Sequence, residues 1–143
     1  MGQSPLGFAE RKDNVIQWST LNDLKELRIG IVQDYINTAE FDQLVALNLL
    51  QVSTTTSDLT NLLKLVNNRV DLAVIDRNVM EHLLKTNTVL FNNTDKAQFN
   101  TKMLENKNLY ICFKKGKEGE RLSKIYNEGL RKIDVEKIMQ QYL

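Results

Sequence analysis

The sequence predicts an α/β lobe: a mostly parallel sheet covered by helices on both faces. Two observations lead there. From Arg28 to Lys85, short apolar runs alternate with amphipathic stretches of helical length. One of those runs, Val70–Ile75, is apolar except at Asp71, the pattern of a strand buried on both faces. Composition agrees. The chain has 143 residues, 42% of them hydrophobic and 26% charged, which suits a domain with a substantial core.

Each element follows from local signals. Leu6–Ala9 is a short apolar run after Pro5 and reads as a strand; Arg11-Lys12-Asp13-Asn14 is a polar turn. Thr20–Glu26 reads as a short helix capped by Ser19 or Thr20. Arg28–Val32 is a strand, and Gln33–Asn37 a loop. A helix is expected over Thr38–Leu47, capped by Asn37 or Thr38, with Glu40 and Asp42 in its first turn and Phe41, Leu44 and Val45 on its apolar face. Leu50–Ser53 is a second strand. Ser57 caps a helix to Asn67, with Leu59, Leu62, Leu63 and Val66 at helical spacing. Val70–Ile75 is the third strand, followed by a helix over Asn78–Lys85. Val89–Phe91 and Leu109–Phe113 read as further strands, with Cys112 in the core. Two helices close the chain, lined by Leu122, Ile125, Tyr126 and Ile133, then by Val135, Ile138, Met139 and Tyr142 after an Asp134 cap.

Several function classes are disfavoured. Lys and Arg total 19 and Asp and Glu 18, so no strong field draws the chain to nucleic acid or a membrane surface. Cys112 and His82 are the only residues of their kinds, which argues against an intrachain disulfide, a multi-cysteine zinc site and a His-rich metal site. No run reaches bilayer-spanning length, and Met1–Glu10 lacks the basic and apolar regions of a signal peptide. No nucleophile–base–acid set, phosphate loop or dinucleotide turn is evident, so neither a catalytic residue nor a cofactor is expected.

In an open parallel sheet, ligands bind beyond the carboxyl ends of the strands where the strand order reverses. With the spatial order second–first–third strand, two loops flank that crevice: Gln33–Thr38 and the one beginning at Asp76-Arg77. The candidate ligand-binding residues are therefore Asp34, Tyr35, Asn37, Thr38, Asp76 and Arg77. Asn37 and Thr38 open a helix, whose free N–H groups attract a carboxylate, or they are simply its caps. Asp76 suits an ammonium group, or it caps the next helix or pairs with Arg77 or Arg69. Tyr35 offers a ring or a hydroxyl to a ligand, or packs its own loop.

The motifs Ser4-Pro5-Leu6-Gly7-Phe8-Ala9-Glu10-Arg11-Lys12-Asp13-Asn14, Leu21-Asn22-Asp23-Leu24-Lys25 and Arg28-Ile29-Gly30-Ile31-Val32 come in a telling order. Asn68-Arg69-Val70-Asp71-Leu72-Ala73-Val74-Ile75-Asp76-Arg77, Leu109-Tyr110-Ile111-Cys112-Phe113-Lys114-Lys115 and Tyr126-Asn127-Glu128-Gly129-Leu130 follow, and the chain closes over Ile138–Leu143. This order resembles the second half of the family 3 extracellular solute-binding proteins, the polar amino-acid binders of ABC transporters.

The resemblance implies a periplasmic-binding-protein-like lobe of three helix–sheet–helix layers. It implies a hinge-crossing strand over 1–13, the second ligand-binding lobe over 14–108, and a returning hinge strand with C-terminal helices over 109–143. It places Asp76 at the aspartate that holds the ligand ammonium, and Thr38 with its neighbours at the helix start that helps hold the carboxylate. It also implies a periplasmic location, a small polar ligand and a membrane permease as partner. Sensing in a membrane receptor is a second reading, and a dehydratase-like or murein-cleaving enzyme a third. Asp34 departs from the family, which usually carries a small residue there, often glycine. The N-terminal part of the family's first lobe has no counterpart in these motifs. The chain therefore reads as a fragment whose last helices expose apolar faces, which leads to an expectation of dimerisation or domain swapping.

Overall fold

The computed structural model describes residues 2–142, apart from the side chain of Phe91; Met1 and Leu143, at the ends of the outer expected segments, lie outside the described residues. The sheet is organised around β4 (Leu72–Asp76), whose first four residues are buried. On one side it pairs in parallel with β2 (Arg28–Val32), which pairs in parallel with β3 (Gln51–Thr55). On the other side it pairs antiparallel with β1 (Gly2–Arg11), from Leu6 opposite Asp76 to Glu10 opposite Leu72. β1 in turn pairs antiparallel with β5 (Ala97–Phe99), giving the order β3-β2-β4-β1-β5; β6 (Glu105–Leu109) also pairs with β1. The sheet is thus parallel in its β3-β2-β4 core, which is the second–first–third order on which the candidate crevice is conditional, and antiparallel at β1.

The alternation of strand side chains separates two cores. On one face Ala9, Ala73 and Ile75 pack with Leu62 and Leu65 of α2 (Asp58–Val66) and Met80 of α3 (Arg77–Thr86). On the other, Phe8, Leu72 and Val74 pack with Ile29, with Phe41 of α1 (Ala39–Ala46), and with Leu21 and Leu24 of a 3-10 turn. That turn stands where a short helix was expected. Two helices stop at asparagine in the left-handed region: Asn48 (φ 55°) after α1 and Asn68 (φ 57°) after α2. The next amide closes each end, Leu49 N–H onto the Leu44 carbonyl and Arg69 N–H onto that of Lys64.

Three expectations are corrected. Val89–Phe91 is not a strand. Asn87 draws it into a turn by accepting the Val89 N–H on its side chain and the Leu90 N–H on its carbonyl, and a 3-10 turn follows over Phe91–Asn93. The strand expected at Leu109–Phe113 lies earlier, as β6, and ends at Leu109. Pairing with β1 selected the polar Glu105–Leu109 segment rather than the apolar run after it. Cys112 consequently lies outside any strand and is exposed, not core.

Pro5–Asn106 forms one compact unit. The segment from Lys107 onward forms a second with the first residues of β1. It contains α4 (Lys117–Leu130) and α5 (Val135–Met139), the latter capped by Asp134, which accepts from the Lys137 N–H. Phe113 packs edge-on against Tyr126 within it. Neither helix contains a buried residue, and Leu122, Ile125, Ile138 and Met139 are exposed.

One buried carboxylate ties the larger unit together. Glu10, at the centre of the sheet, is 1% exposed. It accepts from Ile16 N–H (2.9 Å), Gln98 Nε2 (2.8 Å) and Asn100 Nδ2 (2.7 Å). Asn100 also donates to the Ile16 carbonyl and accepts from Trp18 Nε1 and Lys102 N–H. Loop 14–18 is therefore fastened to β1 through this side chain, which also reinforces the pairing of β5 with β1. Glu10→Ala strands those donors in a dry site and is expected to lower unfolding free energy by about 3–5 kcal/mol, measured by urea denaturation.

Candidate functional site

The loops at the carboxyl edge of β2, β3 and β4 carry the candidate site. Parallel pairing of β2 with β3 runs to Val32 opposite Thr55, and Gln33 N–H extends it onto the Thr55 carbonyl at 2.8 Å. Asp34 then turns the chain with φ 63°, in the left-handed region. A side chain is strained at that φ, and Asp is among the few residues that tolerate it. Tyr35 and Ile36 project outward, 57% and 84% exposed.

The loop returns to the surface of the lobe through Asn37, which is buried. Asp42 accepts from both its backbone N–H (3.0 Å) and its side-chain Nδ2 (2.9 Å). Thr38 Oγ1 accepts from Phe41 N–H at 3.2 Å, and the Thr38 carbonyl from Asp42 N–H at 2.8 Å. Both residues therefore do what helix starts require, and Thr38 is the cap. Beside Thr38 lies a cavity of about 270 Å³, lined among others by Trp18, Thr20, Glu40, Lys102 and Met103. Lys102 donates to the Ser19 carbonyl and lies 4.6 Å from the Trp18 ring centroid.

Asp76 ends β4 and caps α3, its Oδ1 accepting from Asn78 N–H (2.6 Å) and Val79 N–H (3.1 Å). Arg77 lies with its guanidinium 4.7 Å above the Phe99 ring, so its charge is placed towards β5. The start of α2 is capped by the same means. Ser57 Oγ accepts from Thr60 N–H, and Thr55 Oγ1 accepts from Ser57 N–H.

The residue that joins the candidates is Asp58, in the first turn of α2, which sequence reasoning passed over. Its Oδ2 accepts from the Tyr35 hydroxyl at 3.2 Å, and the charge of Asp76 acts on it. Burial, more than anything else, pushes the Asp58 carboxyl up; the Tyr35 hydrogen bond pulls it back and the Asp76 charge adds to the rise. The Asp58 charge, with partial burial and the shared hydrogen bond, pushes the Tyr35 hydroxyl up. A signal for Asp58 was present: it opens the helix after β3, as Asp76 does after β4, and all such helix starts gather at one edge of a parallel sheet. Tyr35 thus reaches Asp58 by a hydrogen bond and Asp76 acts on it by charge while capping α3; Asn37 bonds Asp42, Thr38 caps α1 and Arg77 stacks on Phe99.

The edge is a polar wall with negative charge and exposed aromatic surface, fit to receive a cationic group. Among the described residues, no His, Cys, Asp and Glu side chains gather as a metal site, and no helix is long and apolar enough to cross a membrane.

No family model and no curated protein sequence matches the chain. Solved structures match it in fold. An amino acid ABC transporter substrate-binding protein from Streptococcus pneumoniae, bound to L-arginine, superposes with TM-score 0.63 at 16% identity, over 97% of this chain and 55% of that one. The holo ArgBP from T. maritima gives TM-score 0.55 at 16% identity, over 74% and 42%. The GLUR0 ligand binding core in complex with L-glutamate gives 0.54 at 15%, over 73% and 43%. The chain thus has the periplasmic-binding-protein-like fold and spans about half the length of these structures.

Two substitutions test the wall. Asp34→Gly relieves the left-handed strain and is expected to raise stability by about 0.5–1 kcal/mol, read from urea denaturation. Asp58→Asn tests the carboxylate. A group pushed up by folding contributes stability that is present below its unfolded pKa and lost as pH rises through the folded one. Asp58→Asn should therefore melt higher than the parent at pH 7, with the gap closing below about pH 4.

Proposed function

We propose that this chain is the ligand-binding lobe of a solute-binding protein that takes up a small polar solute, in the first instance a polar amino acid, and delivers it to the membrane permease of an ABC transporter. The observation that carries the reading is the gathering of Tyr35, Asp58 and Asp76 beyond the carboxyl ends of β2 and β4, where the strand order reverses. Asp76 and Asp58 receive the ammonium group. The start of α1 after Thr38 receives the carboxylate. Tyr35 lies against the ligand. In this reading residues 14–108 are one wall of a cleft that closes against a second lobe, residues 1–13 and 109–143 contain the hinge strands and returning helices, and the protein works in the periplasm.

Binding rather than catalysis is supported by the wall itself. Thr38, Ser57 and Asp76 hold their own helix starts, and the Tyr35 hydroxyl holds Asp58. Sensing of the same class of ligand by a membrane receptor is the second reading, favoured by the shared fold with the GLUR0 ligand binding core.

The test is a thermal-shift screen of the full-length gene product with L-arginine, L-glutamate, the other amino acids and small organic acids. One class of amino acid should raise the melting temperature, and Asp76→Asn should weaken its affinity by about 10–100-fold. Asn keeps a side-chain oxygen to cap α3, so the change reports the lost charge and not a lost cap. Equal affinity in that variant rejects the ammonium role, and a parent that responds to no amino acid rejects the ligand class.

A further inference from the structure

We infer that Asn61 is a positioning residue that sets the geometry of this wall by clamping the ends of β2 and β4 across the seam where the strand order reverses. The inference rests on the reading of that edge as a ligand wall, and adds to it a residue that touches no ligand.

The seam is short of backbone pairing. β2 is in register with β3 over five residues, and β4 with β1 over five, but β2 and β4 pair only at Ile29–Leu72 and Gly30–Ala73. Beyond those pairs the two strands go on, β2 to Val32 and the Tyr35 loop, β4 to Asp76. Asn61 stands where they part. It is fully buried, and its Nδ2 donates to the Gly30 carbonyl and to the Val74 carbonyl, each at 3.2 Å. One amide group thus holds one strand on each side of the gap.

The same side chain is poorly suited to stability alone. Its Oδ1 is buried without a hydrogen-bond partner, a destabilising feature retained together with the two bonds that Nδ2 makes. Its neighbours on α2 include the fully buried Leu62 and Leu65. It also imposes a cost on β2: a Cβ on Gly30 would collide with Asn61 Oδ1, so glycine is required opposite it. A glycine in a strand and an unsatisfied buried carbonyl are both accepted where the clamp falls. Asn61 lies one turn beyond Asp58 on α2 and so also pins the helix turn whose carboxylate holds Tyr35.

The experiment compares hydrogen exchange and urea denaturation of the full chain with those of Asn61→Leu. The clamp predicts about tenfold faster exchange at the amides of Gln33, Tyr35, Asn78 and Val79, with a smaller change in β3 that only follows whatever fall in urea midpoint the two carbonyls left without a donor produce. Unchanged exchange at those four amides, or a uniform change that follows global stability, overturns it. Should Asn61→Leu fail to fold, Asn61→Ala gives the same comparison of loop amides against β3. Neither readout uses a ligand. A parent that binds no amino acid in the thermal screen therefore defeats the ligand-binding reading, while the exchange pattern alone decides the role of Asn61.

Discussion

Burial of β4 on both faces is the constraint from which the rest of the larger unit follows. Leu72, Ala73, Val74 and Ile75 are shielded from water by helices on two sides, with alternate residues entering the two cores. A strand in that position must find partners for its backbone groups within the sheet, because water cannot reach them. β1 supplies them along one edge for the whole strand. Along the other edge β2 leaves registered pairing after two residues, and the amide of Asn61 reaches the Val74 carbonyl beyond that point. The opening between β2 and β4 is thus a consequence of topology, kept dry on the inside by a helix side chain.

The same topology concentrates charge at one edge. Each parallel unit returns its helix to the carboxyl end of a strand, so the starts of α1, α2 and α3 gather there. Helix starts attract oxygen acceptors and acids, which satisfy free N–H groups and suit the positive end of the helix dipole. Thr38, Ser57 and Asp76 are caps for that reason, and Asp58 is a first-turn acid for the same reason. A chain of nearly balanced charge thereby acquires a locally negative wall. Asp76 Oδ1 holds two backbone amides, and burial, together with the Asp76 charge, disfavours the ionised form of the half-buried Asp58.

How much of this could be read from sequence differs by element. β2, α1, α2 and α3 were placed within a residue or two, because their caps and apolar spacing are local signals. That the three strands run parallel followed from the general behaviour of alternating α/β chains; their order in the sheet came from the structure. The failures are all elements whose formation depends on a distant partner or a competing turn. Glu105–Leu109 is polar and becomes a strand because β1 is there to pair with it. Leu109–Phe113 is apolar and lies outside the sheet beyond its first residue. Val89–Phe91 has strand-like composition, but Asn87 offers it closer hydrogen bonds. Among the candidate residues, Tyr35 and Asp76 stand where the sequence put them, in the loop after β2 and at the end of β4; the local contacts of Asn37, Thr38 and Arg77 depend on Asp42, Phe41 and Phe99.

The sequence by itself determined the class of fold, the caps and the helix faces, because each depends on interactions within about one turn or one strand. Only the tertiary structure decided which acids act together and which polar groups are buried. Asp58 meets Tyr35 across 23 residues, Asn61 spans Gly30 and Val74 at 31 and 13, and Glu10 collects Gln98 and Asn100 from 88 and 90 residues away. Hydrogen bonding and desolvation depend on distance in space, and no local pattern encodes that distance.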